Sequence, residues 1–145
     1  MRVVLQRVLH GRVSVAGRTA AEIGAGVVIL LGIGPQDGDE QARLLVEKIS
    51  NLRIFEDEAG KINRSLLETG GEAIVVSQFT LYADTRKGRR PSFTGAAPPE
   101  IAHPLVERFA DLLNSQGVPT QMGEFGAHML VEIENDGPVT IWLER

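Results

Sequence analysis

Residues 27–33 read Val-Val-Ile-Leu-Leu-Gly-Ile, and this is the longest apolar run of the 145-residue chain. Glycines bound the run at Gly26 and Gly34, and a third glycine, Gly32, lies inside it. A short apolar run between glycines is typical of a strand that is buried on both faces of a sheet. The run is too short to cross a bilayer, since a membrane-spanning helix needs about 20 apolar residues. We therefore predict that residues 27–33 form a central strand.

On the N-terminal side of this strand, strand-forming residues alternate with glycines and polar residues. Residues 2–9 are predicted to form a strand and residues 12–16 its hairpin partner, with His10-Gly11 as the turn between them. Residues 19–23 are predicted to form a further short strand. The chain should therefore begin with hairpins.

On the C-terminal side, two segments have the periodicity of amphipathic helices. The first is predicted to be capped by Asp39, and the second follows Pro98-Pro99, with a kink or a late start at Pro104. The apolar face of the first helix is predicted to comprise Ala42, Leu45, Val46 and Ile49. The apolar face of the second is predicted to comprise Ile101, Leu105, Phe109, Leu112 and Leu113.

Four more short strands are predicted, at residues 52–55, 73–77, 129–134 and 139–143. The whole chain then has about eight short strands and two main helices. This count indicates a mixed α/β fold with a largely antiparallel sheet, formed by one domain that covers residues 1–145.

Composition and motifs exclude several classes of protein. The chain has no cysteine, so a disulfide framework and a thiolate metal site are both ruled out. Its three histidines lack metal-ligand spacing, and neither a Walker phosphate loop nor a nucleophile elbow is present. Charges interrupt the N-terminus too early for a signal peptide. We therefore expect a cytoplasmic protein that needs no metal or cofactor and has no obvious pair of nucleophile and base.

The net charge of −4 argues mildly against nucleic acid as a partner, but the charges are unevenly distributed. A loop without periodicity runs from residue 82 to residue 98, and it contains a basic cluster at Arg86, Lys87, Arg89 and Arg90. Long loops inside compact chains are usually functional or disordered. The cluster is therefore either a solvated loop or a binding site for phosphates, because phosphate binding depends on local charge.

Two short segments carry polar or turn-forming residues where the strand pattern stops. Ser77-Gln78-Phe79-Thr80, here called the SQFT segment, ends a buried strand, where polar groups are costly unless they bind one another or a ligand. Asn135-Asp136-Gly137-Pro138 lies between two predicted strands, which is the usual place of a hairpin turn. From these residues alone, the first segment could simply be a hydrogen-bonded strand end and the second a plain turn.

Together, the two segments resemble the defining motifs of the D-aminoacyl-tRNA deacylases, which remove D-amino acids and glycine from mischarged tRNA. The resemblance extends over nearly the whole chain and includes Gln6-Arg7-Val8, residues 87–93 (KGRRPSF) and residues 123–129 (GEFGAHM). It implies a compact barrel-like α/β fold and a homodimer whose active site lies at the subunit interface. The implied partners are D-aminoacyl-tRNA and glycine mischarged on tRNA(Ala).

The resemblance implies a catalytic role for the SQFT segment. Ser77, Gln78, Phe79 and Thr80 would line the pocket for the 3′-terminal adenosine and its aminoacyl ester, and the neighbouring ribose 2′-hydroxyl would assist hydrolysis. Thr80 has the hydroxyl of a nucleophile but no visible base beside it. We therefore assign positioning, rather than covalent catalysis, to Thr80 and Gln78.

Other roles follow from the same resemblance. A cis Gly137–Pro138 bond would enter the active site of the opposite subunit and exclude L-residues, and Arg7 would hold it in place. Contacts with the adenine and the amino acid are implied for Phe125, Gly126 and Met129. Contacts with tRNA phosphates are implied for Lys87, Arg89 and Arg90.

The chain departs from the family pattern in one segment. Where the family commonly reads T-G-R-F-[GA]-A-D-M, this chain has Met122, Glu124 and His128 in place of the threonine, the arginine and the aspartate. Glu124 is expected to remove a cation beside the adenosine site. Two alternatives stay open: a related deacylase that edits a small L-amino acid, and a nucleic-acid-binding protein without hydrolysis.

Overall fold

The computed structural model describes residues Met1–Arg145, and its sheet is organised around one long strand. This strand, β1 (Arg2–Val15), pairs antiparallel with β8 (Met129–Glu144) along one edge. Its other edge is shared by β3 (Gly26–Gly32), which pairs with the first half of β1, and β2 (Arg18–Ile23), which pairs with the second half. The first three strands and the last strand of the chain therefore form one antiparallel unit.

The predicted central strand is confirmed. β3 is parallel to β6 (Glu72–Ser77), and β6 is parallel to β7 (Thr120–Met122), so that the order is β2-β1-β3-β6-β7. In β3, Val27, Val28 and Ile29 have no exposed surface. The sheet is thus mixed, with antiparallel pairing around β1 and parallel pairing beyond β3.

The ends of this sheet come together, which gives it a nearly closed, barrel-like form. The Gln121 side chain of β7 accepts a hydrogen bond from the Glu22 amide of β2 at 3.0 Å and donates one to the Glu22 carbonyl at 2.5 Å. A side-chain amide therefore bridges the two outer strands in the way that a neighbouring strand would.

The predicted turn at His10-Gly11 is wrong, because β1 runs through both residues without interruption. Gly11 pairs with Ile23 on one side and with Ile133 on the other. A Cβ atom at this position would lie 2.8 Å from the Val28 side chain. The glycine is thus required for close packing inside the barrel and not for a reversal of the chain.

The remaining elements lie outside this sheet. They are the helices α1 (Asp39–Asn51), α2 (Leu66–Thr69) and α3 (Pro99–Ser115), and the strand pair β4 (Phe55–Glu56) and β5 (Ile62–Arg64). The predicted strand at 52–55 is therefore displaced to Phe55–Glu56. None of the helices is long and apolar enough to span a membrane.

The prediction for α1 is confirmed in its buried face, which comprises Ala42, Leu45, Val46 and Ile49 together with Ser50. Its predicted cap is wrong by one residue. Gly38 occupies the capping position, and its amide donates to the Gln41 side chain at 2.9 Å, while Asp39 begins the helix itself.

The prediction for α3 is wrong in two respects. The helix begins at Pro99 rather than later, because proline is tolerated in a first turn, and it continues past Pro104. Phe109, Leu112 and Leu113 are buried as predicted, but Ile101 is exposed and Leu105 is only half-buried. The buried residues are Ala102, Val106, Phe109, Ala110, Leu112 and Leu113.

Residues 129–144 form one strand opposite β1, so a hairpin turn at Gly137-Pro138 is excluded. Asn135 pairs with Val8 and Thr140 pairs with Gln6, which leaves residues 136–139 opposite Arg7 alone. These four residues, here called the Gly–Pro tip, bulge out of the ladder, and Gly137 and Pro138 are exposed. The outer edge of β8 has no strand partner in the chain.

Candidate active site

A pocket of about 500 Å³ opens where the parallel strands β3 and β6 end. Leu31 of β3 pairs with Ser77 of β6, and both line the pocket. Beyond Ser77 the chain turns into a one-turn 3-10 helix, Phe79–Tyr82. Ligands commonly bind at the carboxyl ends of parallel strands, where the chain leaves the sheet and its polar groups become free.

Five of the residues singled out from the sequence line this pocket: Ser77, Phe79, Phe125, Gly126 and Met129. Gln78 and Thr80 belong to the same segment, and the Gln78 side-chain amide donates a hydrogen bond to the Thr80 hydroxyl. Phe79 is 54% exposed, and its ring meets that of Phe93 edge-on at 5.0 Å. The structure therefore brings the SQFT segment and the segment around Phe125 to one cavity.

The rest of the wall was missed by the sequence analysis. Apart from Phe93 and Ala127, which lie in segments already singled out, it consists of apolar residues from the end of β3, the loop before α3 and the first turns of α3, namely Leu31, Ile33, Ala96, Ala97, Pro98, Pro99 and Ala102. Nothing in an apolar residue type distinguishes a pocket wall from a core. Only the position of Phe93 and Pro98-Pro99 at the end of a long loop gave a signal.

The pocket wall includes no ionisable side chain. No three His, Asp or Glu side chains come close enough together elsewhere in the chain to suggest a metal site. The wall can therefore hold a neutral, largely apolar or aromatic group. A protein nucleophile with an adjacent protein base is not part of this arrangement.

Phe125 has a partner that the sequence did not indicate. The His103 ring of α3 stacks on it, with ring centroids 4.5 Å apart and 13° between the planes, and also lies 3.5 Å from Glu107. One face of Phe125 is thus covered. Phe125 also lines the pocket and packs against the main hydrophobic core.

Glu124, which stands where the family commonly has an arginine, is itself paired with a cation. The guanidinium of Arg18, the first residue of β2, forms an ion pair with the Glu124 carboxylate. The charge of Glu124 is therefore balanced by a residue more than 100 positions away in the sequence. Sequence analysis missed the pair because nothing local connects the two residues.

The Gly–Pro tip is anchored by a buried arginine. Arg7 is 4% exposed, its Nη1 donates to the Ile54 carbonyl at 2.6 Å, and its Nε lies 2.8 Å from the Asp136 carboxylate. The Gly137–Pro138 peptide bond is cis, and Gly137 has a φ of +113°. The tip is thus held firmly at its base.

The Gly–Pro tip lies apart from the pocket of its own chain. None of its residues lines that pocket. Arg7 pairs with Val27, four residues before Leu31 along β3, which corresponds to about 13 Å at the usual rise of a strand. Within one chain, the two segments that the sequence singled out therefore do not meet.

The basic cluster lies on an exposed loop that is closed by a bridge between Asp84 and Ser92. Arg86 is held within the loop, since its guanidinium hydrogen-bonds Asp84 and keeps the pKa of that carboxyl well below its usual range. The cations that project without a carboxylate partner are Lys87, Arg89 and Arg90.

Comparison with known proteins identifies the family of the chain. The sequence model of the family described as D-Tyr-tRNA(Tyr) deacylase matches residues 4–144. The D-aminoacyl-tRNA deacylases of Thermomicrobium roseum and Roseiflexus castenholzii are each 60% identical to the chain over 144 residues, which are 99% of this chain and 94% and 92% of those proteins.

Solved structures show the same fold. One described as c-Myc DNA Unwinding Element Binding Protein is 42% identical, with a TM-score of 0.94 over 100% of this chain and 99% of that one. Another, described as a probable eukaryotic D-amino acid tRNA deacylase, is 21% identical, with a TM-score of 0.84 over 98% and 97% of the two chains. The chain therefore belongs to the D-Tyr-tRNA(Tyr) deacylase family, a family of aminoacyl-tRNA ester hydrolases.

Proposed function

We propose that this enzyme acts in the cytoplasm, as one domain per chain, on D-aminoacyl-tRNA and on glycine mischarged on tRNA(Ala). Chirality would be read in a homodimer, by the Gly–Pro tip of one subunit placed at the mouth of its partner's pocket. One observation carries this proposal: the tip projects from β8 with Gly137 and Pro138 exposed, yet no residue of it lines the pocket of its own chain.

The outer edge of β8 supports the dimer. An unpaired 16-residue strand edge exposes a row of amide and carbonyl groups, which proteins usually cover. Along this strand Leu130 and Trp142 are 63% and 50% exposed. A second copy that covers this side would bury apolar surface and bring one subunit's tip towards the other's pocket.

A selector made of main chain suits a substrate with a variable side chain. The carbonyl groups at Gly137 and Pro138 can accept hydrogen bonds from the substrate α-ammonium while ignoring the identity of the side chain. An L-residue held in the same way would direct its side chain into the tip and clash. Glycine has no side chain to exclude, so glycyl-tRNA should also be hydrolysed.

The apolar pocket supports the binding of the terminal adenosine. Phe125 lines this pocket and would offer an aromatic surface that every tRNA can use, because all tRNAs share this nucleotide.

Lys87, Arg89 and Arg90 would contact phosphates of the tRNA. If so, the replacement of these three residues by glutamine should make the KM for D-tyrosyl-tRNA less sensitive to salt concentration.

Catalysis would depend on positioning and on the RNA itself. The 3-10 helix starts at Phe79, so the amides of Phe79 and Thr80 have no carbonyl partner inside it and can donate to a developing oxyanion. Water adds to the ester carbonyl with the 2′-hydroxyl relaying its proton, and the C–O bond to the 3′-oxygen breaks. The 3′-oxygen takes up the proton, which leaves free tRNA and the amino acid.

Replacing Thr80 by alanine should lower kcat by less than about tenfold, because one neutral hydrogen bond contributes about 1 kcal/mol. The bond that is lost is the one donated by Gln78. Single-turnover hydrolysis of D-tyrosyl-tRNA measures the effect. A loss of activity beyond about a thousandfold, with tRNA binding intact, would make Thr80 the nucleophile instead.

The proposed substrate class is tested by hydrolysis of D-tyrosyl-tRNA and L-tyrosyl-tRNA side by side, with enzyme at catalytic concentration. We expect loss of the D-ester alone. Loss of the L-ester at an equal rate would overturn the role of the Gly–Pro tip, and survival of both esters would overturn the proposed substrate class.

The cross-subunit arrangement predicts complementation between two inactive variants. Gly137→Ala alters the tip, and Ala96→Trp fills the pocket from its loop side. In a heterodimer purified through two different affinity tags, one site of two combines an unaltered tip with an unaltered pocket, so about half of the wild-type activity should return. A heterodimer as inactive as both parents would place tip and pocket in the same chain.

A second candidate function is DNA binding without hydrolysis, which is favoured by the name of the relative that is 42% identical. The exposed loop cations Lys87, Arg89 and Arg90 could serve either nucleic acid. Multiple turnovers of D-tyrosyl-tRNA, undisturbed by excess duplex DNA, would exclude this candidate. Tight DNA binding together with no ester hydrolysis would establish it.

A further inference from the structure

The 3-10 helix Phe79–Tyr82, which begins inside the SQFT segment, is held against β3 by its last residue, Tyr82. A Cβ atom at Gly32 would lie 3.2 Å from the Tyr82 ring, and one at Gly34 would lie 2.7 Å from its hydroxyl oxygen. The two glycines at the end of the apolar run therefore provide the space in which this ring packs. Tyr82 is the only tyrosine of the chain.

The Tyr82 hydroxyl has a partner that is itself fixed. It donates to the Asp37 carboxylate at 3.3 Å, and that carboxylate also accepts from the Gly34 amide at 2.6 Å and pairs with the Met1 ammonium group at 2.5 Å. Burial, with Asp37 adding to it, raises the pKa of Tyr82 to about 12. The hydroxyl therefore remains a donor near neutral pH.

Arg2 completes this arrangement from the start of β1. Its Nη1 donates to the Leu81 carbonyl at 3.0 Å, and its guanidinium lies 4.3 Å from the centroid of the Tyr82 ring. Its Nε donates to the Glu144 carboxylate of β8 at 2.8 Å, and the Trp142 ring of β8 lies 5.9 Å away. One side chain thus touches the 3-10 helix and the strand that carries the Gly–Pro tip.

We propose that Arg2 is a positioning residue for hydrolysis, which fixes the 3-10 helix through Leu81 and Tyr82 and so sets the direction of the amides at Phe79 and Thr80. The helix has a single turn, so Leu81 and Tyr82 lie within three residues of the amides at Phe79 and Thr80. A displacement of about 1 Å at a reacting group can cost a hundredfold in rate. The inference rests on the proposed role of the SQFT segment in handling the ester.

The test compares Arg2→Met with Arg12→Met, which makes the same replacement on the same strand. Arg12 contacts only the carboxylates of Glu22 and Glu132 and no part of the 3-10 helix. For D-tyrosyl-tRNA, Arg2→Met should lower kcat about tenfold and leave KM within about twofold, since the lost bond has a charged donor and the adenosine wall is unchanged. Arg12→Met should keep both constants.

Two further variants separate positioning from general stability. Arg2→Lys restores a charged donor that can reach Leu81 but lacks the planar guanidinium, so kcat should recover in part. Tyr82→Phe keeps the ring and removes the bond to Asp37, so kcat should fall with KM unchanged. Circular dichroism at the assay temperature gives the folded fraction of each variant. Each kcat is divided by this fraction, so that it is expressed per folded molecule.

Each outcome bears on one proposal. If wild-type enzyme turns over D-tyrosyl-tRNA and Arg2→Met retains its kcat per folded molecule, the role of Arg2 is overturned while the proposed function stands. The role of Arg2 is equally overturned if Arg12→Met loses as much kcat as Arg2→Met, or if Arg2→Met changes KM alone. If wild-type enzyme leaves both tyrosyl esters intact, the proposed function fails before any variant is compared.

Discussion

Replacing Gly137 by alanine should reduce the hydrolysis of D-tyrosyl-tRNA at least about a hundredfold, a loss typical of a reacting group displaced by about 1 Å. Gly137 has a φ of +113°, which L side chains rarely adopt. The added methyl carbon would lie 2.9 Å from a Val139 methyl group and 3.1 Å from both the Val139 amide nitrogen and Arg7 Nη2. At least one of these three must move, and all belong to the tip or to its anchor. The measurement is kcat/KM on D-tyrosyl-tRNA with purified dimer.

Gly60→Ala is the matched control for this variant. Gly60 also has a positive φ, of +72°, but nothing lies within 4 Å of the added carbon. Backbone strain should therefore lower the stability of both variants, while only Gly137→Ala loses activity. A Gly137→Ala enzyme that keeps more than half of the wild-type kcat/KM would show that the tip does not select the substrate.

Replacing Arg7 by methionine should abolish most activity and also lower the free energy of unfolding. Methionine retains an apolar chain about as long as the methylene part of arginine, so the loss mainly reports the guanidinium. The Ile54 carbonyl loses its donor, and the Asp136 carboxylate loses its cation beside the tip. Hydrogen bonds to charged groups contribute about 1.5–3 kcal/mol each, and a buried carbonyl left unpaired costs a similar amount. We expect a loss of about 2–3 kcal/mol in urea unfolding and about a hundredfold in kcat/KM.

Arg12→Met again serves as the control, because Arg12 lies on the same strand but its ion pairs are exposed. Such pairs contribute about 0–1 kcal/mol, so this variant should unfold almost like the wild type. If Arg7→Met is destabilised but still hydrolyses only the D-ester at the wild-type rate, Arg7 is a core residue without a role in positioning the tip.

Local pattern predicted the elements whose burial follows from their own sequence. The apolar run at 27–33 became the central strand, and the spacing of Ala42, Leu45, Val46 and Ile49 gave the buried face of α1. In both cases one short window contains the residues that pack inward, so their periodicity carries the information. The motifs around Ser77 and Phe125 were likewise visible one at a time.

What the sequence did not predict depends on partners far along the chain. A glycine indicates a turn and a close packing contact equally well, and only the neighbours of Gly11 in β2, β3 and β8 decide between them. Gly137-Pro138 has the composition of a turn, but pairing of its flanks with β1 makes it a bulge. The ion pairs Arg18–Glu124 and Arg2–Glu144 likewise join residues near the start of the sequence to residues near its end.

The candidate site was predictable only in its polar part. Ser77, Gln78 and Thr80 stood out because polar groups at the end of a buried strand need partners. Leu31, Ile33 and Ala102 did not, since an apolar wall and an apolar core are made of the same residues. The separation of the Gly–Pro tip from the pocket could not be inferred from spacing at all.

The apolar wall of the pocket has a consequence for how the reaction should respond to acidity. Its lining contains no histidine, the one side chain whose ordinary pKa changes its charge between about pH 5 and pH 8. The aminoacyl ester does carry a group that changes its charge near neutral pH, because an α-amino group has a pKa of about 7.7–8.0. The dependence of the rate on pH should therefore follow the titration of the substrate's α-amino group, and replacements in the pocket wall should hardly change it.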